Sequence, residues 1–212
     1  CLPESGEPLS EEPPAVVPQV ITRTKDLEQS HVCLGTTSYA QSHGDRYVCY
    51  ILNTVLGGSM SSRLFQNVRE KRGLAYSVFS SLSAYRDAGN LTIYAGCAAD
   101  AVPEVVDLCV EELRALKRTP LPGPELERAK DHLKGSLMLS LENTASRMSH
   151  LARHEIYFNR HFGLDETLAG IQQVSSDDVQ RVACDLFSNG SLAATVLGPS
   201  VARISSGQLD LG

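Results

Sequence analysis

The chain has 212 residues, 42% hydrophobic and 21% charged, a balance that can bury a substantial core in one domain or two small ones. Its net charge of −6 argues against a general nucleic-acid binder, which needs a basic face. No apolar run approaches the ~18–20 residues of a membrane span, so none is expected.

Residues 1–19 carry Pro3, Pro8, Pro13, Pro14 and Pro18 with four Glu, a composition that stays extended rather than packing. This stretch reads as an interdomain linker, bounded at residues 1–22, before a domain at 23–200 and a tail at 201–212. The opening CLPESGEPLSEEPP lacks the apolar region of a signal peptide, and without Met it reads as starting inside a gene. A Cys at position 1 is also what a lipoprotein anchor leaves after signal cleavage. The six cysteines form no C-x-x-C pair. Cys49, Cys109 and Cys184 fall on apolar faces of predicted helices and read as buried free thiols; a disulfide framework or zinc cluster is the alternative. Free thiols favour a cytoplasmic setting slightly, with a periplasmic one open.

Alternation predicts a strand within residues 29–40. Asp45 can cap a helix through about Val55, which Gly57-Gly58 ends. Ser61 or Ser62 then starts a second helix with Leu64, Phe65 and Val68 as its buried stripe, stopped by Gly73. Residues 76–84 and 90–98 form a hairpin around Asp87 and Gly89. Pro103 suits the first turn of a helix to about Lys117. TPLPGP breaks the chain at 119–124. Helices follow at about 125–141, 144–158 and 165–171. A capping-box pattern, Ser175 with Asp178, leads into the last. Residues 192–197 close as a strand, and the tail from Ser200 is expected to fray. The order β-α-α-β-β-α-α-α-α-β, with an antiparallel hairpin, gives an α+β fold: a mostly antiparallel sheet with helices packed on one face.

One segment says more than the rest: GGSMSSRLFQNVREKRGLAYSVF at 57–79. Arg69 and Tyr76 lie seven residues apart across its helix-to-strand corner, which can present a cation and a phenol side by side. Read blandly, Arg69 is a surface arginine beside Glu70 and Lys71, and Tyr76 a strand aromatic packed on the core. Gly57-Gly58 is a helix cap and tight turn, or a loop helping to admit an extended peptide. No G-x-x-x-x-G-K-[ST] phosphate loop and no G-x-S-x-G serine elbow accompany them.

LNTVLGGSMSSRLFQNVREKRGLAYSV, the Asp87-x-Gly89 turn, LTIYAG, ELERAKDHLKGSLMLSLE and the closing LGP together resemble the C-terminal domain of a half-molecule in the pitrilysin/insulinase family of zinc metallopeptidases. The subgroup is that of mitochondrial processing peptidase and its bacterial relatives, and the resemblance covers nearly all the chain after the linker. It implies a clamshell of two related halves, one carrying zinc on an H-x-x-E-H motif. The other half supplies an Arg and a Tyr facing the metal, matched here by Arg69 and Tyr76. Their implied roles are binding of substrate carbonyls and stabilisation of charge at the scissile carbonyl, with Gly57 and Gly58 beside them as substrate-binding candidates.

The chain itself has no H-x-x-E-H. His150 and His154 share a helix face, but Glu155 is rotated about 100° from His154 and cannot serve as the motif's general base. A solvated or helix-capping pair is the expected role. No metal ligand is therefore assigned in this chain, and zinc is expected on a partner. The resemblance implies a zinc-bearing N-terminal domain or sister subunit and a peptide or protein substrate. Three readings remain open: a half inactive alone, a non-catalytic core-type subunit with the same fold, and a homo-oligomer pairing through a face left uncovered.

Overall fold

The computed structural model describes residues 14, 16–200 and 204–212. Most of the expected linker, residues 1–13 and 15, lies outside that set. A five-stranded sheet is built from β1 (Val20–Thr24), β2 (Ser30–Ser38), β3 (Ala75–Ala84), β4 (Gly89–Cys97) and β5 (Ala193–Gly198), in the order β1-β5-β2-β4-β3. β1 pairs parallel with β5, and the other pairings are antiparallel. The fold is α+β.

The helices are α1 (Arg46–Leu56), α2 (Val102–Arg118), α3 (Gly123–Ser140), α4 (Thr144–Phe158), α5 (Leu164–Gln173) and α6 (Ser176–Leu186). Alternate strand residues are buried under them: Val32 and Leu34 on β2, Leu91 and Ile93 on β4, Ala194 and Val196 on β5. The intervening residues, such as His31, Cys33, Tyr94 and Thr195, are half-buried or exposed on the other face. Helices therefore cover one face of the sheet, because only that side of each pleat is apolar.

α2 buries Val102, Val105, Val106, Cys109, Val110, Leu113 and Leu116, the stripe its spacing predicts. Pro103 lies in its first turn, and Lys117 and Arg118 face the negative end of its dipole. The capping box at Ser175 and Asp178 forms as read. α4 differs from its neighbours: His154 is its one buried residue, and Asn143 caps its start through bonds from the N–H groups of Ala145 and Ser146.

Several expectations are corrected. β1, which straddles the linker boundary at residue 22, is an added strand. Asp45 precedes α1 without a capping bond; its carboxylate instead takes both guanidinium nitrogens of Arg181, at 2.8 and 3.0 Å. Cys184 is exposed, whereas Cys49 and Cys109 are buried as read. The tail does not fray over 204–212. Ile204, Leu209 and Leu211 are buried, and α2 holds the segment through Arg114 to Asp210 O (2.9 Å) and Lys117 to Leu211 O (2.8 Å).

Candidate functional site

The corner at 57–79 is assembled from the end of α1, a connecting loop, a π-helical segment and the start of β3. α1 stops where the N–H groups of Gly57 and Gly58 both turn back onto Asn53 O, at 3.0 and 2.8 Å. Gly57 O then accepts the Ser80 N–H at 3.1 Å. A Cβ on Gly57 would lie 2.4 Å from Ser80 N, so the helix end and β3 approach as closely as they do only because this residue has no side chain. A Cβ on Gly58 would stand 3.0 Å from Asn53 O. Both glycines thus have a packing role in closing the helix against the strand.

Arg63 fixes the next segment. Its Nε and one terminal nitrogen each donate to Glu125 of α3 at 2.8 Å, and Glu112 of α2 lies 3.9 Å from the guanidinium. This fork ties the loop to two helices.

Residues Phe65–Glu70 are π-helical rather than the α-helix expected. Lys71 N–H bonds five residues back to Gln66 O at 3.0 Å, widening the turn. Leu64 and Val68 point into the core and are fully buried, but Phe65, expected in the same buried stripe, is only half-buried and lies with Arg69 on the outer side, because the π-helical turn rotates it away from the core. Gly73, at φ 64°, takes the left-handed conformation that turns the chain into β3.

β3 opens with a bulge. Ala75 pairs with Cys97 and Ser77 with Gly96, so Tyr76 has no partner across the ladder. The extra residue swings its side chain out, 77% exposed, rather than onto the core. The Arg69 guanidinium lies 5.6 Å from the Tyr76 ring centre and 4.8 Å from that of Phe65. The fold therefore brings Arg69 and Tyr76 together, with Phe65 as a second ring beside the cation. Its i, i+4 spacing from Arg69 was the signal for Phe65. The nearby carboxylate is Glu70, whose 3.7 Å contact with Arg69 is solvent-exposed and weak.

Two further features bear on what the corner can hold. The outer edge of β3 is interrupted at Ser80 by Gly57, so an added strand could not run unbroken along it. On the uncovered sheet face, Phe79 and Tyr94 pack at 5.1 Å, and Tyr94 OH meets His31 Nδ1 at 2.8 Å.

The His150–His154 pair is not arranged as a zinc site. His154 Nδ1 accepts the Phe162 N–H at 3.2 Å, and its ring packs edge-on to Phe158 and Phe162. It is buried, neither solvated nor a cap, while Glu155 is exposed. Among the described residues no group of three or more His, Cys, Asp or Glu is arranged to hold a metal ion. No helix among them is long and apolar enough to cross a membrane.

Comparison with known proteins agrees with this architecture. Residues 3–133 match the family model described as the peptidase M16 inactive domain. An uncharacterized zinc protease of Bacillus subtilis is 43% identical over 195 residues, 92% of this chain and 47% of that protein. The chain therefore spans about half the length of this relative. The solved structure of a peptidase M16 inactive domain from Pseudomonas fluorescens superposes with a TM-score of 0.78 at 23% identity, over 92% of this chain and 47% of that one. A chain of complex III2 from Candida albicans shares the fold at a TM-score of 0.80 and 16% identity, over 92% of this chain and 48% of that one. The chain is a metallopeptidase-type half-domain in its fold. It belongs to the M16 peptidase family and corresponds to that family's inactive domain, in agreement with the resemblance carried by residues 52–79.

Proposed function

We propose that this chain is the substrate-holding half of a zinc-dependent endopeptidase, inactive alone, working opposite a zinc site on another domain or chain. The observation that carries the reading is the corner itself: an arginine set 5.6 Å from the ring of an exposed, bulged tyrosine. A bulge that unpairs one residue and turns an aromatic ring into solvent has no packing benefit, and such bulges commonly aim a side chain at a site. Arg69 would donate its planar fork to peptide carbonyls, which a Lys could not copy. The Tyr76 hydroxyl would donate to the carbonyl oxygen on which negative charge develops. Gly57 and Gly58 would contribute by shaping the loop beside the peptide. Since the chain carries no H-x-x-E-H and His154 is engaged within the fold, the metal would be held by the partner.

The test is a peptidase assay on this half alone, on its zinc half alone and on the two together. Activity is expected only in the combination and is abolished by chelator. In that combination, Arg69→Ala and Tyr76→Phe should each lower kcat/KM by about 100-fold, with thermal stability unchanged. Unchanged turnover in the double variant would overturn the assignment.

The other reading is a non-catalytic core-type subunit, in which Arg69 and Tyr76 need not act. The fold shared with the complex III2 chain is compatible with it, but at 16% identity that likeness speaks of fold alone. An H-x-x-E-H in the same gene or a neighbouring one favours the peptidase. In either case a partner would cover the apolar side chains left exposed on α3 and α4, among them Leu139, Met148 and Ile156. Without that partner the chain should self-associate, and a strictly monomeric sedimentation profile at high concentration would count against this.

A further inference from the structure

The proposed peptidase role makes no use of the cleft under α4. There α1, α3, α4 and α5 enclose a cavity of about 210 Å³ with walls that include Tyr47, Tyr50, Leu133, Phe158, Phe162 and Ile171. It shares Gln41, Tyr50 and Arg153 with a second cavity of about 360 Å³ that runs to Tyr85 at the end of the β3–β4 hairpin. The walls of the first cavity are largely aromatic and apolar, those of the second more polar, and no residue lining either is acidic.

Two cations line the first cavity. The Arg46 guanidinium is packed against three rings, 4.4 Å from Tyr47, 5.0 Å from Phe158 and 5.1 Å from Phe162. Its polar contacts are neutral oxygens, Tyr47 OH at 3.2 Å and His43 O at 3.5 Å. Arg153 comes from α4. Neither forms an ion pair with a carboxylate among the described residues, unlike Arg63, Arg72 and Arg181. An arginine held in place by aromatic rings, with no counter-ion, has lost its freedom before any ligand arrives. A concave apolar site with a few convergent polar groups is the usual form of a small-molecule site.

We propose that this cleft binds a carboxylate carried on an aromatic or branched apolar body, the carboxylate meeting Arg46 and Arg153 and the body packing on the rings beneath α4. The chemistry is shared by the C-terminal residue of a peptide and by a free aryl acid. The site stands on the cavity and does not depend on the peptidase reading.

A pH dependence follows. His150 and His154 also line the cavity, and burial with the surrounding positive charge pushes both imidazoles down, His154 to about 4. The groups facing His150 are His154 and Arg153 on α4 and His161 beyond its end; those facing His154 are His150, His161, Arg46 on α1 and Glu166 on α5; α3 presents Leu133 and Leu137. His154 stays neutral, because its Nδ1 accepts the Phe162 N–H. A bound anion therefore favours the protonated form of His150, so binding takes up a proton and tightens as pH falls.

The experiment is calorimetric titration of the full-length protein with N-acetylphenylalanine, its uncharged amide and 3-phenylpropionate. Both acids should bind, and the amide should be weaker by about 10-fold or more. Arg153→Gln, at an exposed position, should weaken the acids by about 10-fold and leave the amide and the urea midpoint unchanged. Affinity for the acids should rise about 3-fold between about pH 7.5 and about pH 5.5. Tighter binding of N-acetylphenylalanine identifies a peptide C-terminus, tighter binding of 3-phenylpropionate a free acid, and equal binding the shared chemistry. Absence of binding at roughly millimolar acid, equal affinity for acid and amide, or indifference to Arg153→Gln would each overturn the proposal.

Discussion

Gly57 shows how much of the corner rests on single atoms. The Ser80 N–H reaches Gly57 O at 3.1 Å, and the Ser80 hydroxyl reaches Asn53 Oδ1 at 2.8 Å. Adding one methyl at Gly57 puts carbon 2.4 Å from backbone nitrogen, which a rotamer change cannot relieve. Gly57→Ala should therefore cost about 2 kcal/mol or more by overpacking, read as a lower denaturant midpoint with unchanged slope. Gly58→Ala, with its nearest contacts at 3.0 Å, should cost less. If both variants unfold at the wild-type midpoint, the glycines are there for substrate rather than for packing. Arg69 and Tyr76 belong to the opposite class. Their contacts are ring faces and a solvent-exposed carboxylate, so their removal should be nearly silent in stability and loud in activity.

At the scale of elements, the π-helical segment and the bulge act in series to set where those two side chains stand. Gly73 joins them in the left-handed conformation, with its N–H on Arg69 O and the Leu74 N–H on Val68 O, both at 3.0 Å. Gly73→Ala should destabilise by about 1–2 kcal/mol and, by shifting the register into Tyr76, lower activity as well. A variant that loses stability while keeping full activity would show that the turn does not align the pair. The helices and the hairpin were legible in the chain because each carries its own period and punctuation: the Val102–Leu116 stripe, the Ser175–Asp178 box, the turn closed by Gly89. What escaped has long-range causes. β1 is a strand only because β5, from the far end of the chain, pairs with it in parallel. Leu209 and Leu211 follow no helical or strand period, and α2 holds them through Arg114 and Lys117. Leu64 and Val68 suit an α-helix as well as a π-helix, so spacing could not tell the two apart. For the site, the Arg69–Tyr76 spacing was legible. The bulge that exposes Tyr76 was not, since it depends on register with β4.

For the whole molecule, the weakest joint is the docking of α4. α1, α2 and α6 each bury a full apolar stripe, whereas α4 is attached through His154, Phe158 and the turn to Phe162. That attachment requires a neutral imidazole, because His154 Nδ1 accepts the Phe162 N–H. Burial, His150, His161 and Arg46 together hold the His154 pKa at about 4, against 6.5 for the free side chain. As pH falls, the unfolded chain takes up this proton first, so the fold loses stability progressively from about 6.5 down to about 4 and loses no more from this group below that. The loss should be on the order of 2 kcal/mol, less whatever solvent screening removes. Asp45 and Asp178, which Arg181 and Ser175 hold below the usual carboxylate range, lose their share only at lower pH still. The two processes therefore separate along the pH axis. Urea unfolding at a series of pH values should show the first loss in the histidine window. His154→Gln, which keeps an acceptor for the Phe162 N–H but does not titrate, should flatten it. A slope in that window that survives His154→Gln would place the proton elsewhere and leave α4 held by its aromatic contacts alone.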